Sequence, residues 1–449
     1  MLNRRRLVAG AAAFAAAGFL HQGAASAAKR GGIDATGLGL RPDAADDQGK
    51  AFGRMLREAA ARDQPVFLPP GTYVVSGLTL PPRVRLSGVP GATRIVLGGG
   101  HLMLARNAEH IELSGLTFDG AMRPVEGEAQ GLLDLRGVAH LAIDECCVLA
   151  CAGNGLVVER AAGRVERCLF SGATDVGLWS VDAAGLTISG NTVSDCGNGG
   201  ILVHRRQAGE DGTIVTGNRI AGIAARAGGT GQHGNGINAF RAGNVVISGN
   251  VVADCAFSAI RANGCDNVQI GGNTCLRSGE TALYCEFAFE GAAIANNIVD
   301  GAANGIAIVN FNEGGRMATC SGNVVRNLSA AGPYPPEGPG FGTGICAEAD
   351  TAVTGNVVEN APLYGIQLGW GPYLRNVIVT ANIVRKAGTG IAVSVVEGAG
   401  ATIIADNVID GTLKGAILGQ RWAEPVTADL ALTGNAGYAH LTIERNRAS

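Results

Sequence analysis

From Leu186 to Val203 the chain reads LTISGNTVSDCGNGGILV. Two short runs with alternating apolar residues flank an Asn, and a Gly-led apolar run follows ten residues later. Alternation with a period of two predicts short strands, each with one face buried. The phrase returns at Asn191, Asn218, Asn250, Asn273, Asn297, Asn323, Asn356, Asn382, Asn407 and Asn435, with spacings of 27, 32, 23, 24, 26, 33, 26, 25 and 28. In seven coils the first inward residue of the Gly-led strand (Ile201, Ile260, Leu283, Ile306, Ile366, Ile391 or Ile417) falls nine or ten positions after its Asn. A period of this size means a solenoid.

Three short strands per turn predict an all-β, single-stranded right-handed parallel β-helix, each strand pairing with its copies about 4.8 Å above and below. The corner at Ser-Gly-Asn needs a left-handed backbone, which Gly and Asn tolerate best. Stacked Asn side chains can also bond from rung to rung. A leucine-rich horseshoe would need a Leu pattern and helices that the sequence lacks. The N-terminal segment breaks the pattern. DDQGKAFGRMLREAAARD sets Phe52, Met55, Leu56 and Ala59 on one face of a helix over about 47–62, with Asp46 or Asp47 as N-cap. Coils are expected from about 66 to 449.

Composition narrows the class. The chain has 449 residues, 70 of them Gly, with 16% charged and 5% aromatic. So many Gly and so few charges exclude a helical bundle. The opening MLNRRRLVAG, an Ala-rich run to Leu20 and ASAAK read as a secretory signal over 1–28, followed by one β-helix domain over 29–449. Arg4, Arg5 and Arg6 resemble the twin-arginine export type, with Asn3 where Ser or Thr is usual. That implies the twin-arginine machinery as a partner and a periplasmic or secreted product. No later run is long and apolar enough to span a membrane. Loss of the three Arg takes the formal charge from −3 to about −6, which argues against nucleic acid as partner. Eleven Cys is an odd count without a C-x-x-C motif, and Cys196 and Cys255 read as small core residues.

The entry helix followed by VFLPPGTYVV resembles the start of the pectin-lyase-like β-helix superfamily, where a helix covers the open end of the coil. The signal together with the SGN-and-GI repeat resembles the twin-arginine-translocated repetitive β-helix proteins, a family without an assigned activity. The superfamily resemblance implies polysaccharide binding on the face of the Gly-led strand.

On that strand, odd offsets from the inward residue face outward. Offset one reads Leu202, Asn238, Arg261, Tyr284, Ala307, Cys346, Gln367; offset three reads His204, Phe240, Asn263, Glu286, Val309, Glu348, Gly369. The two longest Asn-to-inward gaps, IAARAGGTGQHGNG and LSAAGPYPPEGPGFG, flank this zone and predict two walls of a groove. Glu286 and Glu348, two rungs or about 9.6 Å apart, suit the acid and base of inverting glycoside hydrolysis. Arg261 beside Tyr284 suits β-elimination on a uronic acid, with Arg neutralising the carboxylate and Tyr moving protons. His204, Asn238, Phe240 and Asn263 are candidate sugar-binding residues. So are Asn312 and Arg316 in the following turn, with Arg205, Glu290 and Glu313 nearby. The paired Asp, Gly-His-Gly and Arg-Ile-Lys patterns of polygalacturonases, an Asp/Glu cluster like the calcium site of pectate lyases, and the Asp-Pro-His-Asp stretch of alginate epimerases are not found. No cofactor or metal is expected. The function expected is binding or processing of polysaccharide, by lyase or hydrolase action, with uronic-acid-containing polymers among the candidates. The alternative is a non-catalytic envelope scaffold or adhesin.

Overall fold

In the computed structural model, which describes residues 32–336, 338–435 and 437–449, the chain winds as a right-handed parallel β-helix. The proposed signal lies outside the described residues. One sheet has 16 strands and the other 26. Their pairings are parallel, apart from a short antiparallel contact of Gly415–Arg421 with Glu424–Pro425. The larger sheet holds two strand columns. In four coils these run together as single strands, Thr274–Glu286, Ile298–Ile308, Val357–Leu368 and Ile383–Ser394, that turn the corner unbroken. Three separate strands per coil therefore holds only in the other coils.

Inside the coil, Ile201, Ile237, Ile260, Leu283, Ile306, Ile345, Ile366, Ile391 and Ile417 lie in one buried column. Each β-branched or Leu side chain packs on its copy one rung away, which is how a repeat too small to bury its own apolar face acquires a core. All eleven Cys are free thiols, nine of them buried.

The corner divides its tasks between two residues. The left-handed conformation belongs to the residue before the Asn: φ is 64° at Gly190 and 65° at Gly217 and Gly249. Asn itself was expected to share that role, but it turns inward instead. Its Oδ1 accepts the backbone N–H of the Asn one coil earlier, and its Nδ2 donates to the Asn one coil later and to a carbonyl of an earlier coil. Asn273, for example, accepts from Asn250 N at 3.0 Å and donates to Asn297 Oδ1 and Ile247 O, both at 3.0 Å. The ladder runs from Asn191 to Asn407 and then to Asn446, whose Oδ1 accepts from Asn407 N at 3.1 Å. Asn435 is not a member, because it follows the short helix Leu430–Thr433 and donates to Leu441 O. In the earlier coils Cys168 and Cys146 stand in the ladder, with thiols directed at the Glu166 and Asp144 carbonyls at 3.1 and 3.3 Å.

The N-terminal helix spans Gly49–Ala61 and buries Phe52, Met55, Leu56 and Ala59 against the first coils. Its N-cap is Gln48 rather than Asp46 or Asp47. The Asp47 side chain accepts from Gly49 N at 2.7 Å, and Gln48 turns away to bond the Arg41 backbone.

Candidate functional site

Strand register places Asn238, Arg261 and Tyr284 side by side on consecutive rungs, and His204, Phe240, Asn263 and Glu286 in the next outward column. These positions point away from the core, yet Asn238, Arg261 and Glu286 are only 7%, 8% and 3% exposed. Two long connections, 224–234 and 329–342, supply the cover. Gly231 of the first connection accepts from Arg261 Nη1 at 3.1 Å. Tyr334 of the second donates its hydroxyl to Glu280 Oε1 at 2.6 Å, and its ring lies between Phe257 and Phe341.

Beneath the loops is a single ionic cluster. Arg261 grips Glu286 with both arms of its fork, Nε to Oε1 at 2.5 Å and Nη2 to Oε2 at 2.9 Å. Its Nη1 also reaches Glu280 Oε2 at 3.2 Å. The guanidinium lies 4.8 Å over the Tyr284 ring, and Asn263 Nδ2 adds a third bond to Glu286 at 2.8 Å. Burial alone would lower the Arg261 pKa, but Glu286 and then Glu280 outweigh it and raise it. Burial pushes Glu280 above the usual carboxylate range against the pull of Arg261 and Tyr334. It also raises the phenols of Tyr284 and Tyr334. A bidentate pair of this kind is strong, and removing one member strands a buried charge.

The cluster changes the chemistry expected of Arg261 and Tyr284. Four of the five Arg261 N–H groups have protein acceptors, so the guanidinium is already neutralised and is not free for a uronate. Tyr284 is held in the phenol form, which disfavours it as a base.

Three cavities run together along this face. The largest, about 760 Å³, lies between the loops, bounded by Thr230, Arg261, Glu280, Glu286 and Tyr334. On one side it shares Tyr284, Asn304 and Asn310 with a cavity of about 440 Å³ that also holds Glu348, Gln367 and Trp370. On the other it shares Thr230, Arg261 and Phe287 with a second cavity of about 440 Å³, lined by His204, Asn238, Phe240 and Asn263. The outcome is a groove with a polar floor and aromatic side chains along its length.

Glu286 and Glu348 thus line different cavities, and Glu286 has both oxygens bound to Arg261. Within the proposed pair only Glu348 is free of an ion pair. Glu348 instead accepts from Phe311 N at 2.7 Å. Burial pushes it up to about 7, against the Phe311 and Asn310 N–H groups, so a substantial fraction of it is protonated near pH 7. At the far end His204 Nδ1 accepts from Trp179 Nε1 at 3.2 Å, which assigns the ring proton to Nε2. Burial lowers His204 to about 4, with Asn238 opposing. His204 Nε2 and Asn238 Oδ1 are buried without partners. The edge of Phe240 meets His204 at 5.6 Å between ring centroids.

Two sequence candidates fall elsewhere. Arg316 begins a strand of the 16-stranded sheet and pairs with Glu290 at 2.5 Å. Asn312 is exposed in the turn Phe311–Glu313 and bonds Glu313 at 3.3 Å. Neither lines the three cavities. Sequence reasoning missed Glu280, Tyr334 and Trp370. For Glu280 a signal exists: among the nine aligned coils it is the sole carboxylate three positions before the inward residue. Among the described residues, no group of three His, Cys, Asp or Glu is placed to hold a metal ion.

A model of the family described as right handed beta helix region matches residues 99–233 and 207–376. No curated protein matches the sequence. Among solved structures, the pre-mature gene product 12 of bacteriophage phi29 aligns with 16% identity and a TM-score of 0.54, over 88% of this chain and 69% of that one. The catalytic unit of a GH87 α-1,3-glucanase from Streptomyces thermodiastaticus strain HF3-3 aligns with 15% identity and a TM-score of 0.47, over 94% and 69%. An exopolygalacturonase from Thermotoga maritima gives 11% and 0.42, over 93% and 91%. At 16% identity the likeness to the phage protein is one of fold.

Proposed function

This chain belongs to the right-handed β-helix family, and on that premise we propose that it binds an extended polysaccharide along the roofed groove. One observation carries the reading: three confluent cavities lie in a row on one sheet face, walled by two loops. Apolar and aromatic surface with a few fixed polar groups is the usual lining of a small-molecule or glycan site. Phe240, Phe287 and Trp370 offer ring faces and edges to sugar C–H groups, while Thr230, Gln232, Asn304 and Asn310 supply hydrogen-bonding side chains along the walls.

Hydrolysis is the better supported of the two processing reactions. Burial raises Glu348 to about 7, so a fraction of it can give a proton to a glycosidic oxygen near neutral pH. A lyase would need a free cation, and Arg261 is occupied. A binder without turnover is favoured by a different observation: among the described residues, no second carboxylate lines the cavity of Glu348. Incubating the protein with neutral and acidic polysaccharides, and reading both binding and new reducing or unsaturated ends, separates these readings. A hydrolase should give reducing ends that Glu348→Gln abolishes while binding persists. Binding without new ends on any polymer would establish the adhesion or scaffold role. Absence of binding throughout would remove the groove reading.

Export to the periplasm or beyond, through the twin-arginine machinery, belongs to the same proposal and rests on Arg4, Arg5 and Arg6. Replacing all three by Lys should hold the precursor in the cytoplasm; normal export would point to the general secretory route.

A further inference from the structure

We infer that the groove selects uncharged sugars and rejects uronic acids, an inference that rests on the polysaccharide-binding reading above. The charged Arg, Asp and Glu side chains lining the three cavities, among the described residues, are Glu280, Glu286 and Glu348 against one cation, Arg261. Arg261 is engaged from three directions by Glu286, Glu280 and the Gly231 carbonyl, through four of its five N–H groups. A sugar carboxylate entering the central cavity would meet two acidic side chains and no unpaired cation. Desolvating an anion there has no compensation.

Cations at the edge do not alter this balance. Arg206 faces Glu159 at 3.2 Å and Asp182 at 3.5 Å, and Arg375 is paired with Asp350 at 2.5 Å. Arg241 stacks over Phe240 at 4.7 Å and donates to the Arg206 carbonyl. Arg226 and Arg241 are exposed and line none of the cavities, so salt screens them. What the groove does present suits hydroxyl groups. Carboxylate oxygens accept from O–H, and Thr230, Gln232, Asn263, Asn304 and Asn310 add neutral donors and acceptors along the cavity walls. A site built to complete hydrogen bonds of this kind discriminates through the groups left unpaired when the wrong ligand enters.

The test measures binding of the full-length purified protein to two neutral polymers, dextran and mannan, and to two uronic ones, polygalacturonate and alginate. Each is measured at low and at high NaCl. At least one neutral polymer should bind with little salt dependence. The uronic polymers should bind at least about tenfold more weakly at low salt, and added salt should narrow the gap as like-charge repulsion is screened. Glu280→Gln together with Glu286→Gln should raise polygalacturonate binding, with the neutral polymer reporting whether the groove survives. The salt series on the parent protein stands even if that variant does not fold. Uronic binding equal to or tighter than neutral binding at low salt overturns the inference and leaves the polysaccharide reading in place. Binding of neither class overturns both.

Discussion

Two buried polar arrays divide this molecule. The Asn ladder repeats at every corner from Asn191 to Asn446, and each amide is matched by the coils next to it. The Arg261 cluster occurs once, and it ties two loops to one patch of sheet. The ladder uses neutral groups, so it needs only hydrogen bonds to offset burial. The cluster buries charges, which cost more to desolvate and are poor evidence for stability by themselves. A repeating neutral array is architecture, whereas a single charged array under long loops marks the place where the scaffold gives up regularity for a site.

Breaking the cluster should have the largest effect. Arg261→Ala leaves Glu280 and Glu286 buried without their cation, a loss of about 3–5 kcal/mol. Urea unfolding would measure it, and hydrogen exchange should show the 329–342 loop opening before the coils. Next comes the ladder. Asn273→Ala leaves an unpaired N–H on Asn250 and an unpaired carbonyl on Ile247, costing roughly 2–6 kcal/mol at about 1–3 per group. Faster exchange should then spread to the coils on both sides. An effect confined to one coil would contradict the shared-bond picture.

A smaller effect should come from pH. Glu348 lies at about 7 in the fold against 4.5 for the free group. The unfolded chain therefore releases this proton first, and stability from this residue falls as pH rises from about 4.5 to about 7. His204 acts in the opposite sense: held at about 4 instead of 6.5, it adds stability as pH rises through that interval. Subtracting the melting curve of Glu348→Gln from that of the parent should isolate the Glu348 component as a decline between about pH 4.5 and 7. A flat difference would mean that Glu348 is not desolvated. The smallest effect concerns the corner. Ala381 holds φ 57° where most coils have Gly. Ala381→Gly should stabilise by about 0.5–1 kcal/mol, since relief of left-handed strain exceeds the added chain entropy. Destabilisation of the melting curve would show that the Ala381 methyl group packs usefully.

The same division decides what the sequence could reveal. The solenoid, its inward Ile column and the outward order Leu202, Asn238, Arg261, Tyr284, Ala307, Cys346, Gln367 were legible, because period and pleat leave one consistent register. The two long loops were legible as walls. The partners of Arg261 were not. Glu280 sits where the strand turns its corner and the register shifts between Ser278 and Thr281, so alternation carries no instruction there. Tyr334 reaches it from 54 residues away. Arg316 was misplaced for a related reason: the turn after the Gly-led strand ends sooner than its spacing suggests, and Arg316 already belongs to the next face. Asn435 was misplaced because the last coil carries an insertion with its own helix, which moves the ladder position to Asn446.

The ladder also governs how a chain of this kind can change its length. Every Asn bonds its counterparts without regard to the number of residues between them; intervals of 23 and 33 residues give the same contacts at 3.0 Å. Removing residues 382–406 would bring Asn407 beneath Asn356 and restore each bond with one coil fewer. An excision of one residue within a strand would instead turn its inward side chains outward. Growth and shrinkage of the solenoid, and with them the length of its outer face, are therefore available to such a gene only in whole-coil steps. Loops at the corners can vary by single residues.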